Sequence, residues 1–139
     1  MSRARYTLTA TTELPFPDAV ERVREELQSE GFGVLSEIDV QATLRAKLGV
    51  EQDEYLILGA CNPPLAHRAV EANRQIGLLL PCNVVVRADP EEAGTVLVEA
   101  MNPGLLVEVT GEPELRPVAE EVAGRLTAAI DSLKRVAAE

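Results

Sequence analysis

Two short segments of this chain carry its most reactive side chains: Cys61-Asn62-Pro63-Pro64 and, twenty-one positions further on, Pro81-Cys82-Asn83. They hold its only two cysteines, each followed by asparagine. Each closes an apolar run, Leu56-Ile57-Leu58-Gly59-Ala60 in the first case and Leu78-Leu79-Leu80 in the second. A thiolate is a nucleophile and a soft-metal ligand, so its pKa decides what such a residue can do. Cys61 stands just before an expected helix start, with Asn62 as N-cap and Pro63 at the first helical position. Aligned amides at such an end favour the thiolate. Asn62 and Asn83 are amide donors of the kind that hold an oxyanion. The structural alternatives are plain. Cysteine suits a tight strand end, asparagine suits a cap, and Pro81-Cys82 suits the edge of a starting strand. A cis Leu80-Pro81 bond would aim Cys82 in a defined direction.

Three chemistries are open to the pair. The thiols could form a reversible dithiol if their Cβ atoms come within about 3.5–4.5 Å, although the spacing matches no thioredoxin-like motif. They could bind zinc or copper together with His67, the sole histidine, but the spacing fits no standard zinc pattern and a fourth ligand is missing. On the expected helix His67 aligns with Glu71 and Arg74, away from Leu65 and Ala69, so it belongs to the polar side. With that histidine turned outward, neither a Ser-His-Asp nor a Cys-His-Asn triad can be assembled. Gly31-Phe32-Gly33 is a helix stop, not a phosphate-cradling loop. Glu91-Glu92 and Glu120-Glu121 are solvated faces that lack the alternating oxygen ligands of a calcium loop.

The totals narrow the partners. The chain has 139 residues, a length suited to one domain. It has no Trp, and its aromatic residues are Tyr6, Tyr55, Phe16 and Phe32. Surfaces that stack bases or sugars rely on aromatic faces. Thirteen basic residues scattered among twenty-three acidic ones leave a net charge of −10. Phosphate-tracking surfaces need clustered Lys and Arg, so nucleic acid and anionic membranes are not expected partners. Met1-Ser2-Arg3-Ala4-Arg5 has no apolar export core, and no apolar stretch approaches a membrane span. The expected location is the cytoplasm, where the thiols stay reduced.

The pattern along the chain supplies the elements that must position the two segments. Tyr6, Leu8 and Ala10 alternate with Thr7, Thr9 and Thr11, which predicts a strand. Pro17-Asp18 opens a helix with Phe16, Val20, Val23 and Leu27 on one stripe, stopped by Gly31. Phe32 to Ile38 reads as a strand. Asp39 caps a short helix with Val40, Leu44 and Leu48 on one stripe, closed by Gly49. Tyr55 to Ala60 reads as a central strand. Leu65, Ala69, Ala72 and Ile76 form the stripe of a helix that Gly77 breaks. Val84-Val85-Val86 and Thr95 to Met101 form a hairpin around Asp89-Pro90-Glu91-Glu92-Ala93-Gly94. Leu105 to Val109 reads as a further edge strand. From Pro113 a long helix carries Leu115, Val118, Val122, Leu126, Ile130, Leu133 and Ala137. This order of helices and hairpin strands predicts an α+β fold, an antiparallel sheet with helices packed on one face. The other face, if apolar, needs a cover, and a second copy of the chain is the simplest one.

Ile57-Leu58-Gly59-Ala60-Cys61-Asn62-Pro63, then Leu65-Ala66, then Gly77-Leu78-Leu79-Leu80-Pro81-Cys82-Asn83-Val84-Val85-Val86 resemble the bacterial and archaeal family known as domain of unknown function 302. The likeness extends over nearly the whole chain, through Ile38-Asp39-Val40, Lys47-Leu48-Gly49 and Met101-Asn102-Pro103. It implies a β-α-β(4)-α core similar to one repeat of the TATA-binding protein, with extra short helices. It implies no activity. DNA binding is not carried over with that likeness, because a fold does not fix a function and the charge has the wrong sign.

The reading is a single domain over 1–139, a homodimeric small-ligand-binding or accessory module. Its site is expected where Cys61, Asn62, Pro63, Cys82 and Asn83 meet, around a small anion or an apolar ligand. No residue is assigned a catalytic or metal-binding role, and no cofactor is indicated. The alternatives are a cysteine-dependent redox or transfer enzyme, with Cys61 attacking and Cys82 resolving, and a zinc or copper protein using Cys61, Cys82 and His67.

Overall fold

The computed structural model describes residues 7–137. Tyr6 and the segment before it lie outside these residues, as does the side chain of Ala137. In chain order the elements are β1 (Thr7–Thr12), α1 (Phe16–Ser29), β2 (Gly33–Asp39), α2 (Val40–Leu48), β3 (Tyr55–Cys61), α3 (Pro63–Ala72), β4 (Cys82–Ala88), β5 (Val96–Met101), α4 (Gly104–Thr110) and α5 (Arg116–Ala137). Short 3-10 turns span Arg74–Leu79 and Pro113–Leu115. The strands form one sheet in the order β1-β5-β4-β3-β2, with every pair antiparallel. Without α2, α3 and α4 this is the β-α-β(4)-α core that the resemblance implies.

Alternation along each strand divides the sheet into two faces. Leu8, Ala100, Val84 and Leu58 stand in one cross-strand row, and Ala10, Val98, Val86 and Leu56 in the next. These rows meet Val23 and Leu27 of α1 and Leu126, Ile130 and Leu133 of α5 in one core. Each such aliphatic side chain contributes roughly 1.5–3 kcal/mol on burial, which the helix stripes of α1 and α5 concentrate on the sheet. The opposite face carries Thr9, Glu99, Val85, Ile57 and Ile38 in register. There Arg87 grips Glu99 with two hydrogen bonds, Nε to Oε1 at 2.8 Å and Nη2 to Oε2 at 3.2 Å.

Four expectations change. The run Leu105 to Val109 is helical, part of α4, and not an edge strand. The place beside β5 is already taken by β1, and the Asn102 Oδ1 accepts from the Gly104 N–H to start a turn. A short, mostly apolar run of this kind does not separate strand from helix by itself. The stripe Val40, Leu44 and Leu48 is only partly covered: Val40 and Leu44 are half-buried, no residue of α2 is fully buried, and Leu48 is 69 % exposed. That helix follows the edge strand β2 and touches the sheet along β3. Asn73, not Gly77, ends α3. Its extended backbone and its Oδ1, which accepts from the Gln75 N–H, start the 3-10 turn that holds buried Ile76. Phe32 precedes β2 and plugs the core instead of joining the strand.

Among the described residues no helix is long and apolar enough to cross a membrane.

Candidate functional site

The two Cys-Asn segments meet at one end of the sheet because β3 and β4 are antiparallel neighbours. The end of β3 therefore lies beside the start of β4. Ala60 stands opposite Cys82 and Gly59 opposite Asn83. Beyond Cys61 the chain turns at once into α3. The Asn62 Oδ1 accepts from the Leu65 N–H at 3.3 Å, and the Asn62 carbonyl accepts from the Ala66 N–H at 2.8 Å. Asn62 is thus the N-cap that the sequence suggests, with Pro63 and Pro64 following it. The Leu80-Pro81 bond is cis.

Two glycines permit this junction. A Cβ on Gly59 would lie 2.3 Å from the Ser36 Oγ and 3.0 Å from the Pro81 ring, so the open face of β3 is bare there to seat both. Gly31 has φ +88°, a conformation that disfavours a side chain, and a Cβ there would come within 2.9 Å of the Asn62 Nδ2. The loop between α1 and β2 therefore closes directly over the asparagine.

Between this junction, α3 and α5 lies a cavity of about 430 Å³. Its walls are apolar: Leu65 and Ala69 of α3, Val118 and Val122 of α5, Leu106 of α4 and Phe32 ahead of β2. Ser36, Cys61, Asn62 and Cys82 supply its polar atoms, and no charged side chain lines it. Of the residues singled out from sequence, Cys61, Asn62 and Cys82 line this cavity. Pro63 and Asn83 do not; both are exposed. Asn83 follows Cys82 by one residue, so the strand's alternation turns it to the other face of the sheet. Leu106 went unnoticed as a wall residue because it fell in the expected edge strand, and Val118 and Val122 because their helical stripe read only as core.

The thiols differ. Cys82 is buried, and Cys61 is half-buried; both are free. Burial, with the nearby Cys61 thiol adding to it, pushes the Cys82 thiol up to about 11. Cys82 is therefore a neutral thiol at physiological pH and a weak nucleophile. The register also separates the two. Cys61 stands opposite Gly33 and Cys82 opposite Ala60, so Cys61 is one step out of line with Cys82 and their Cβ atoms leave opposite faces of the pleat.

His67 points away from the cavity. It is 74 % exposed, lies 3.6 Å from Glu71, and borders a separate surface hollow with Arg68 and Glu71. Among the described residues no three His, Cys, Asp or Glu side chains gather as a metal site would require.

Residues 7–133 match the family model described as domain of unknown function DUF302. The fold is similar to the crystal structure of an uncharacterised conserved DUF302 protein from Bacillus stearothermophilus. That likeness has a TM-score of 0.83 and 33 % sequence identity, and it covers 91 % of this chain and 97 % of the other. No curated protein matches the sequence.

Proposed function

This chain belongs to the family described as domain of unknown function DUF302, and we propose that within this fold it binds a small, largely apolar molecule in the cavity beside Cys61, Asn62 and Cys82. The observation that carries the reading is the cavity itself: about 430 Å³, walled by aliphatic side chains, with its few polar groups gathered at one end. Small-molecule sites have this size and this mixture of apolar wall and sparse polar atoms. Titration with toluene tests the proposal. One molecule is expected to bind per chain, with a negative heat-capacity change. Ala69→Phe, which places a ring into the cavity from α3, is expected to abolish binding.

In this reading Cys61 and Cys82 are wall residues rather than a redox pair. The high pKa of Cys82 and the one-residue offset between the cysteines both favour that role. The exposed position of His67 leaves a soft-metal role without its third ligand.

The reading also includes a second copy of the chain on the open face of the sheet. Tyr55, Ile57, Val85, Leu97 and Met101 are half-buried there, and Arg87 on that face is paired with Glu99, with Asp89 also nearby. On a chain of net charge −10, that face is where two like copies can approach with least repulsion. Two sheets stacked about a two-fold axis would place the Ile57 row of each over the other. Light scattering across a concentration series checks the mass, and a monomer throughout would end this part of the reading.

A further inference from the structure

The cavity abuts the N-terminus of α3, and helix N-termini commonly hold anions through their free N–H groups. Here those groups are missing or used. Pro63 and Pro64 occupy the first two helical positions and have no N–H. The next two, on Leu65 and Ala66, donate to the Asn62 Oδ1 and carbonyl. No Lys, Arg or His lines the cavity. A carboxylate or phosphate entering it would lose its hydration and gain no cation and no backbone donor, and burying an unpaired charge is prohibitively costly.

One polar group does remain available. Asn62 is 9 % exposed and lines the cavity. Its Oδ1 is engaged with the Leu65 N–H. Its Nδ2 donates to none of the described residues and is not sealed from solvent, so it stays open to an incoming acceptor. The half-buried Cys61 thiol, a weak donor, adjoins it in sequence and on the cavity wall.

We infer that the molecule this cavity takes is uncharged, apolar over most of its length, and ends in a hydrogen-bond acceptor of carbonyl type that receives the Asn62 Nδ2–H. This rests on the binding reading above and adds the class of ligand. Asn62 thereby has two roles. One atom of its amide caps α3, and the other selects the head group.

The test compares three probes of similar apolar character: 2-octanone, octanoate and toluene, titrated at 0.2 M salt so that the protein's net charge is screened, roughly to within one Debye length. Wild type is expected to bind 2-octanone at least about tenfold more tightly than octanoate, the cost of desolvating a charge setting the gap. Asn62→Asp keeps the capping oxygen and loses the donor. It is expected to weaken 2-octanone roughly fivefold more than it weakens toluene, the worth of one net hydrogen bond. Asn62→Ser, which also caps helices well, is the second variant, and the same pattern is expected of it. Octanoate binding as tightly as 2-octanone overturns the inference. So does a loss for 2-octanone no greater than that for toluene in both variants. If toluene binds and neither octyl compound does, the ligand class is wrong while the cavity reading stands. If none of the three binds, both fall.

Discussion

Cys82 stands directly opposite Ala60, and Cys61, the next residue along β3, stands opposite Gly33 on the other side. Both residues line the cavity, but this one-residue stagger sends their side chains off opposite faces of the sheet and does not present them to each other as a disulfide pair. Their separation along the chain is closed by the antiparallel pairing of β3 with β4, and their chemistry is set apart by burial.

Thiol labelling should therefore separate the two residues. In the folded protein at pH 7.5, a small alkylating reagent is expected to modify one cysteine, Cys61, and to leave Cys82 at least about tenfold slower. Both should react in denaturant. Mass mapping after partial labelling reads the result, and equal rates at the two sites would contradict the burial of Cys82.

The raised pKa of Cys82 has a consequence for stability. Burial favours the neutral thiol, so the folded state holds this proton more tightly than the unfolded chain, whose thiol titrates near 9.0. The sign follows from linkage: the contribution is complete below that value and is lost as pH rises through about 11. Wild type should lose stability between these limits relative to Cys82→Ala, by up to roughly 3 kcal/mol. Denaturant unfolding of both proteins across the alkaline range gives the difference, and parallel curves would show that Cys82 does not titrate in this way.

Gly59 is required by its neighbours rather than by its backbone. Gly59→Ala is expected to destabilise the fold by about 1–3 kcal/mol, because the new methyl meets the Ser36 Oγ and the Pro81 ring. Serine can rotate away and the ring cannot. Adding Ser36→Ala should therefore recover part of the loss and not all of it. Urea unfolding of the single and double variants measures both terms, and full recovery would place the whole clash on Ser36.

Most of the elements were legible in the sequence wherever a periodic pattern agreed with local chemistry. The stripe of α1, the Asp39 and Asn62 caps, the β4–β5 hairpin and the long α5 all had two agreeing signals. The failures came where one signal stood alone. Leu105 to Val109, apolar but for Glu108, has no clear period, and β1 already occupies the sheet edge beside β5. Val40, Leu44 and Leu48 have the right period, but only the fold reveals that the stripe is half covered and open at Leu48. For the site, the Cys-Asn repeat marked the correct end of the sheet, since each copy sits at a strand end. It did not mark the wall. Val118 and Val122 reach the cavity only through the packing of α5, over fifty residues away in sequence from Cys61, and no local pattern announces that. Nor does sequence alone turn Asn83 outward; the pairing of Ala60 with Cys82 does.

The account rests on a cavity that is open to apolar molecules. Crystals held under xenon measure this directly, since an apolar cavity of adequate size takes up the gas. The prediction is xenon density in wild type between Leu65, Ala69, Val118 and Val122, and none in Ala69→Phe, or in Ala66→Phe should the first variant fail to fold. A wild-type crystal whose side chains close that space and exclude xenon would contradict the account.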